Sequence, residues 1–226
     1  DITGQYVQAA KNALSAGIDG VEIHAANGYL LDQFISSGTN QRNDDYGGSI
    51  TNRIRFLLEV VDAVSRVCGS ERVGVRISPF GTFNDMSDEN PEALFEAIAD
   101  ALTSRALGYL HIVDPTFDGE ASIRLRGENL IAAIRKRFNG TLILCGGYDR
   151  PRAEAALQDG RADLIGFGRP FISNPDLPVR LETDAPLNMP DPNLFYGGGA
   201  NGYVDYLTRE QELGIEPVSD FSDLVN

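Results

Sequence analysis

The chain has few cysteines for its 226 residues. Cys68 and Cys145 are the only two, which is too few for the disulfide framework of a small secreted protein. One is expected at the end of a helix and the other in an apolar strand. We therefore interpret both as free thiols in a reducing compartment, and we expect a cytoplasmic location.

Basic residues and long apolar runs are also scarce. Lysine and arginine number 19 against 33 acidic residues, which gives a net charge of −14. Nucleic acids and anionic membrane surfaces both attract basic proteins, so this balance argues against either as a partner. No apolar run approaches the roughly 20 residues that a membrane-spanning helix requires. We expect neither a nucleic acid partner nor a membrane association.

Short apolar runs alternate with longer amphipathic segments throughout the chain, a pattern typical of parallel α/β architecture. The predicted strands are residues 20–24, 72–78, 109–113, 141–145 and 162–166. The predicted helices are residues 2–15, 53–67, 91–105, 129–138 and 151–158, with a short helix from about residue 30. From about residue 185 the chain is rich in proline, glycine and asparagine, and we expect it to be irregular up to a last short helix near residues 208–213.

Five strands are three fewer than a (β/α)8 TIM barrel contains, and such a barrel typically runs to about 250 residues. The sequence opens on a helix that no strand precedes. We therefore predict an α/β fold in which residues 1–226 form a single domain, the C-terminal part of a TIM barrel. This chain would supply about five of the eight βα units, strands four to eight plus the C-terminal tail, and the first three strands would be absent from it.

Three polar side chains follow the first predicted strand at fixed spacing, namely His24, Asn27 and Tyr29. A neutral imidazole and a carboxamide can both donate an N–H to one oxygen, and a phenol can deliver a proton to the same small volume. This combination suggests chemistry on an activated carbonyl or nitro compound. The alternative is a histidine and a tyrosine packed at the end of a core strand, the commoner situation for a lone histidine. Their clustering at the carboxyl end of a strand favours catalysis.

Glycine-rich turns follow the last two predicted strands. Gly146 and Gly147 follow the fourth strand, and Gly168 and Arg169 follow the fifth. At the end of a barrel such glycines let backbone N–H groups approach a phosphate, and a short helix and an arginine add positive charge. Each pair alone would also fit an ordinary turn. Together they predict a site for a phosphorylated cofactor or substrate.

Arg76 lies within the apolar second strand, where an unpaired guanidinium would be costly. It could pair with a carboxylate such as Glu22 on the neighbouring strand as part of the core. It could instead face the barrel mouth and stabilise negative charge on a bound ring. The alternation of side chains along the strand does not decide between these two interpretations.

Long motifs run through nearly the whole chain, beginning with Gly-Val-Glu-Ile-His-Ala-Ala-Asn-Gly-Tyr and including Gly-Phe-Gly-Arg-Pro-Phe-Ile-Ser-Asn-Pro. They lie at residues 20–34, 40–42, 45–49, 52–53, 76–81, 146–147, 166–177, 195–198 and 202–206. This set resembles the Old Yellow Enzyme family of FMN-dependent ene-reductases. The resemblance implies a flavoprotein that uses FMN together with NADPH or NADH.

The resemblance also implies a role for each matching residue. His24 and Asn27 would bind the carbonyl or nitro oxygen of the substrate, and Tyr29 would protonate the alkene α-carbon after hydride reaches the β-carbon. Arg76 would lie beside the N1/O2 edge of the flavin. The phosphate site would comprise Gly146, Gly147, Gly168 and Arg169, and the walls of the substrate pocket Phe83, Phe117 and Tyr196. Asn27 replaces a second histidine found in other members, and the family needs no metal here.

The implied activity is reduction of the activated C=C bond of an enone or nitroalkene by NAD(P)H in a ping-pong cycle. Family members carry three earlier strands that supply further flavin contacts, so the resemblance implies a complementing N-terminal fragment or chain as a partner. One alternative is a non-catalytic half-barrel that acts as an assembly subunit. Another is an isomerase or aldolase barrel using the same phosphate site, but that would leave His24, Asn27 and Tyr29 unexplained, and no lysine ends a strand for Schiff-base chemistry.

Overall fold

The computed structural model describes residues 1–117, 120–197 and 199–215. Residues 118, 119, 198 and 216–226, which include one position of a family motif and the end of the tail, lie outside the described residues. The chain divides into two compact units. The first, Asp1–Gly166, is called the sheet unit, and the second, Phe167–Asn226, the C-terminal unit. That all 226 residues form one domain stays a prediction.

The sheet unit contains a five-stranded parallel sheet in which sequence order and spatial order coincide. The strands are β1 (Val21–Ala25), β2 (Val73–Ile77), β3 (Tyr109–Val113), β4 (Thr141–Cys145) and β5 (Leu164–Gly166). Each connection between them contains a helix, as parallel neighbours require. The prediction of a parallel α/β architecture with five strands is therefore confirmed.

The helices of the sheet unit are α1 (Ile2–Ser15), α2 (Leu30–Ile35), α3 (Ile50–Cys68), α4 (Pro91–Thr103), α5 (Ala121–Arg137) and α6 (Arg150–Gln158). Those of the C-terminal unit are α7 (Arg169–Ser173), α8 (Leu177–Thr183) and α9 (Arg209–Glu212). Helix α1 has the predicted bounds, and α9 lies within the predicted last helix. Helix α8 was not predicted, because its seven residues are too few to show a clear apolar period.

The predicted start of α5 at Asn129 is wrong, since the helix begins at Ala121. Its first two turns contain Ile123 and Leu125 only two residues apart, so they carry no apolar stripe at helical spacing that a periodicity argument could detect. Arg126 of these turns makes tertiary contacts. Arg126 donates to Glu92 of α4 at 2.6 Å, and its guanidinium lies 4.9 Å from the centre of the Phe80 ring.

The two faces of the sheet differ in character, because successive side chains of a strand point to opposite sides. One face is apolar and fully buried, and its helix contacts include those of α3 with β1 and β2. Its members include Ile23, Val73, Val75, Ile77, Leu110, Ile112, Leu142 and Leu144. The opposite face, called the polar face, carries Glu22, His24, Arg76, Tyr109, His111 and Cys145. The apolar core therefore lies on one side of the sheet, and the ionisable side chains of the strands lie on the other.

A buried carboxylate joins the ends of β3 and β4. The side chain of Asp114 is fully buried and accepts hydrogen bonds from Arg152 at 2.9 Å and from the Tyr148 hydroxyl at 2.6 Å. Burial, followed by this hydrogen bond, raises the pKa of Tyr148. Arg152 also donates to the carbonyl oxygens of Gly146 and Gly147. The carboxylate thus anchors the arginine that shapes the glycine turn after β4.

We expect Asp114→Asn to lower the free energy of unfolding by about 2–4 kcal/mol, because it removes the counter-charge of Arg152 inside the protein. The loss should fall short of that for a fully buried pair, since Arg152 is 27% exposed. Urea denaturation followed by circular dichroism measures it. Glu92→Gln, which breaks the exposed pair with Arg126, is the control and should change stability by no more than about 0.5 kcal/mol. Equal losses in the two variants would contradict this account.

Candidate active site

The loop after β1 is held by a hydrogen-bond relay that starts from Asp32, a buried residue in the first turn of α2. Its Oδ2 accepts from the backbone N–H of Gly28 at 2.8 Å and from the hydroxyl of Ser78 at 3.3 Å. The Ser78 Oγ in turn accepts from the backbone N–H of Asn27 at 2.8 Å. The loop that carries the predicted catalytic residues is therefore tied both to α2 and to the end of β2.

Two residues of the same loop have an unusual backbone conformation. Asn27 and Gly28 have φ angles of 56° and 73°, a left-handed conformation that glycine, and to a lesser extent asparagine, adopts readily. A Cβ at Gly28 would come within 2.6 Å of the Phe83 carbonyl oxygen. The Asn84 side chain donates to the Asn27 carbonyl at 3.0 Å. These contacts bring the segment containing Phe83 against the loop.

His24 and Tyr29 lie side by side at this end of the sheet. Their ring centroids are 5.4 Å apart and the rings are tilted by 48°. His24 is half-buried, whereas Tyr29 is 54% exposed. Burial and, after it, the positive charge of Arg76 lower the pKa of His24. Both effects favour the neutral form of the imidazole, and the role of His24 as a neutral hydrogen-bond donor stays a prediction.

Arg76 stands between His24 and His111 in the register of the sheet. Its Nη2 donates to the Sγ of Cys145 at 3.4 Å, and its Nε is buried without a hydrogen-bond partner among the described residues. Glu22, the carboxylate considered for it, pairs with His111 instead. A buried N–H without a partner calls for an explanation, and an acceptor atom of a bound anionic ring would satisfy it. The donor that the structure presents here fits FMN.

His111 was not identified from the sequence. Its Nδ1 lies 2.9 Å from Oε2 of Glu22. Burial alone would lower the pKa of His111, but its interactions with Cys145 and Glu22 outweigh burial and raise the pKa to about 9. The available signal was parity, because His111 alternates with the apolar residues Leu110 and Ile112 and so points to the polar face.

The predicted phosphate residues lie in both units. Gly146 and Gly147 follow β4, with both carbonyl oxygens bound by Arg152. Gly168 and Arg169 are exposed in the C-terminal unit, at the N-terminus of the short helix α7. Anions bind backbone N–H groups, and the carbonyl oxygens of this turn already accept hydrogen bonds from Arg152. The turn therefore suits an anion. That the four residues share one phosphate stays a prediction.

The three predicted pocket aromatics are placed differently. Phe83 is 62% exposed and adjoins the loop at Gly28. The ring of Phe117 lies against Gly147, with the Arg152 guanidinium 5.8 Å from its centre. Tyr196 is 97% exposed in the C-terminal unit. The structure thus brings Phe83 beside the His24–Tyr29 loop and Phe117 beside the glycine turn, and their pocket roles remain predictions.

In the described part of the chain, no group of three or more histidine, cysteine, aspartate or glutamate side chains could hold a metal ion. Among the same residues, no helix combines the length and the apolar character that crossing a bilayer demands. Cys68 and Cys145 are both free and buried, at the ends of α3 and β4 respectively.

The sequence matches the model of the NADH:flavin oxidoreductase / NADH oxidase family over residues 1–188. 12-Oxophytodienoate reductase 2 of Arabidopsis thaliana is 43% identical over 210 residues, which cover 92% of this chain and 56% of that protein. A Leishmania infantum protein named "probable flavin mononucleotide-dependent alkene reductase" is 47% identical over 201 residues, covering 89% and 53%. The chain spans about half the length of the curated relatives it matches.

The chain is also similar to solved structures. Morphinone reductase in complex with tetrahydroNAD has a TM-score of 0.85 and 50% identity, over 92% of this chain and 55% of that one. Another morphinone reductase structure has a TM-score of 0.88 and 48% identity, over 96% and 57%. The likeness confirms the predicted barrel fold class, of which this chain supplies a part. With the family match covering most of the sequence, the chain belongs to the NADH:flavin oxidoreductase / NADH oxidase family, in agreement with its resemblance to the Old Yellow Enzymes.

Proposed function

We propose that the chain is part of an FMN-dependent oxidoreductase that reduces the activated C=C bond of α,β-unsaturated carbonyl or nitro compounds with NADPH or NADH. The observation that carries this proposal is the arrangement of His24, whose lowered pKa favours the neutral imidazole, beside the accessible phenol of Tyr29 and next to a buried Arg76 N–H that has no partner among the described residues. A relative named as a probable alkene reductase, another named as a 12-oxophytodienoate reductase, and one morphinone reductase structure holding tetrahydroNAD support it.

The residues present fit FMN. The Arg76 Nε would bind and balance the negative edge of the ring. We assign phosphate binding to Gly146 and Gly147 in the sheet unit and to Gly168 and Arg169 in the C-terminal unit. The chemistry that FMN supplies when bound is hydride transfer, from the nicotinamide and then to the alkene, in the two half-reactions of a ping-pong cycle. The protein contributes binding, orientation and charge.

The chain's own residues would act on the alkene in two ways. His24 and Asn27 hold the carbonyl or nitro oxygen by donated hydrogen bonds, which draws electron density toward that oxygen. Tyr29 delivers a proton to the α-carbon, and its exposed phenol leaves room for a substrate to approach. Phe83 forms one wall of the pocket, and we assign Phe117 and Tyr196 to the others.

Because the matched part covers only about half of the length of these relatives, we propose that activity also needs sequence equivalent to the part of them that this chain does not match. Co-expression with that segment of morphinone reductase tests the idea. We expect the two polypeptides to copurify with a visible flavin absorption band and to oxidise NADPH or NADH when an enone is added. A folded complex without flavin would favour the alternative, in which the chain is a non-catalytic assembly subunit.

In the flavin-loaded complex, we expect Tyr29→Phe to slow flavin reoxidation by an enone by about 10²–10⁴-fold, because the proton donor is lost. Reduction of the flavin by NADPH should be nearly unchanged, since no proton from Tyr29 enters that half-reaction. Stopped-flow absorbance measures the two separately. Tyr46→Phe, which removes a phenol that donates to Glu59, is the matched control. Equal slowing of both half-reactions would refute the role of Tyr29.

The chain contains two histidines, so an imidazole NMR titration resolves each one, and His111→Asn assigns the signals. We expect His24 to titrate below the ordinary value of about 6.5. Arg76→Gln should raise the pKa of His24, because it removes a neighbouring positive charge that disfavours the imidazolium. Arg126→Gln, on α5, is the control. A His24 pKa at or above 6.5 would contradict the neutral donor.

A further inference from the structure

Two consecutive residues of the loop after β1, Asn27 and Gly28, have both of their backbone N–H groups and both of their carbonyl groups bound by side chains. Along the backbone, the four hydrogen bonds of 2.7 to 3.0 Å involve Ser78, Asn84, Asp32 and Gln33. Three of these side chains belong to α2 or directly follow β2, so regular secondary structure fixes them. Asn84 is the exception, because it lies in the loop that joins β2 to α4, next to the predicted pocket residue Phe83.

The backbone of that loop is strained at Asn84 and Asp85, here called the strained pair, whose φ angles are 58° and 59°. The left-handed region costs free energy for residues other than glycine, although asparagine and aspartate tolerate it best. Both residues are exposed, so burial does not hold them. Strained backbone persists where surrounding contacts hold it, and it clusters at functional sites. The contact here is the bond from the Asn84 side chain to the Asn27 carbonyl oxygen.

The segment after the strained pair is anchored to the rest of the sheet unit. Met86 is buried. The carboxylate of Asp88 accepts from the backbone N–H of Ser37 at 2.8 Å and lies 3.3 Å from Nη1 of Arg53. This anchored segment keeps the Asn84 side chain within reach of the loop after β1.

The side chain of Asn27 is free, whereas its backbone is bound on both sides. The half-buried carboxamide makes no hydrogen bond to any described residue. The N–H held by Ser78 and the carbonyl held by Asn84 flank the two backbone torsions of Asn27, so fixing both groups fixes those torsions. The backbone conformation in turn limits the directions that a side chain can take. A free carboxamide on a fixed backbone is a preorganised hydrogen-bond donor.

We propose that Asn84 is a positioning residue for Asn27, and that its hydrogen bond, here called the clamp, couples the loop bearing Phe83 to the carboxamide that binds the substrate oxygen. The clamp itself is a property of this chain. Its effect on the substrate rests on the proposed function, in which Asn27 donates to a carbonyl or nitro oxygen. Through the clamp, the packing of a substrate against Phe83 and its hydrogen bond to Asn27 depend on one another.

The clamp is tested on the 226-residue chain by amide hydrogen exchange, followed by NMR at the N–H groups of Asn27 and Gly28. Asn84→Gly deletes the bond without adding strain, because glycine adopts the left-handed backbone readily. We expect both amides to exchange about 2–10-fold faster, the factor that one neutral hydrogen bond supplies. Asp85→Gly, at the other residue of the strained pair, is the matched control and should leave both amides unchanged.

The positioning role is tested in the flavin-loaded complex, by the enone concentration that gives the half-maximal rate of flavin reoxidation in stopped-flow absorbance. Asn84→Gly should raise this concentration by about 2–10-fold, and Asp85→Gly should not. In Asn27→Gly, which lacks the carboxamide, the same Asn84 substitution should have no further effect, because the two residues act as a unit.

A second substitution at the same position separates positioning from a merely structural role. Asn84→Asp keeps the size of the side chain and its tolerance of the left-handed backbone, but it places an oxygen against the Asn27 carbonyl. We expect it to raise the half-maximal enone concentration at least as much as Asn84→Gly does. An Asn84→Asp variant that behaves like the wild type would overturn the proposal.

Three further results distinguish the ways in which the proposal can fail. Unchanged exchange at Asn27 and Gly28 in Asn84→Gly would overturn the clamp. Faster exchange combined with an unchanged enone dependence, or with the same loss in the Asn27→Gly background, would overturn the positioning role. Faster exchange in a chain whose wild-type complex binds no FMN would uphold the clamp and reject the proposed function.

Discussion

The strict alternation of side chains along parallel strands is the constraint on which the rest of this structure depends. It sends most of the aliphatic residues of β1 to β4 to one face, where the helices bury them, and the charged and polar strand residues to the other. Half-buried charges must then find partners within that face. The contacts Glu22–His111 and Arg76–Cys145 meet this requirement. Burial and, after it, the positive charge of Arg76 lower the pKa of His24 on the same face.

The carboxyl ends of parallel strands meet at one edge of a sheet, and two of the loops at this edge are ordered by buried carboxylates. Asp32 orders the loop after β1 through Gly28 and Ser78. Asp114 orders the turn after β4 through Arg152. In both cases the residue expected to contact a ligand is accessible, and the residue that fixes it is buried and polar. The conformation of a functional loop therefore depends on buried hydrogen-bonding residues as much as on the exposed side chains that would contact a ligand.

A large share of the architecture could be predicted from local patterns. Each apolar run forms a strand whose bounds lie within about two residues of the expected ones. The apolar spacings that predict strands and helices involve only near neighbours in the chain, so the sequence alone reveals them. The spacing of His24 and Tyr29 at the end of β1 also predicted that these two rings lie together. Helix α5 shows the limit, since its first turns lack an apolar stripe at helical spacing.

The sequence by itself determined the five-stranded α/β order, the family, and which strand residues share the polar face. It did not determine partners on that face. Glu22 and His111 are 89 residues apart, and Arg76 and Cys145 are 69 apart. Only the register between strands brings them together. Parity is a local property of each strand, whereas register and the pairing of charges depend on how separate segments pack, and so the tertiary structure alone decided them.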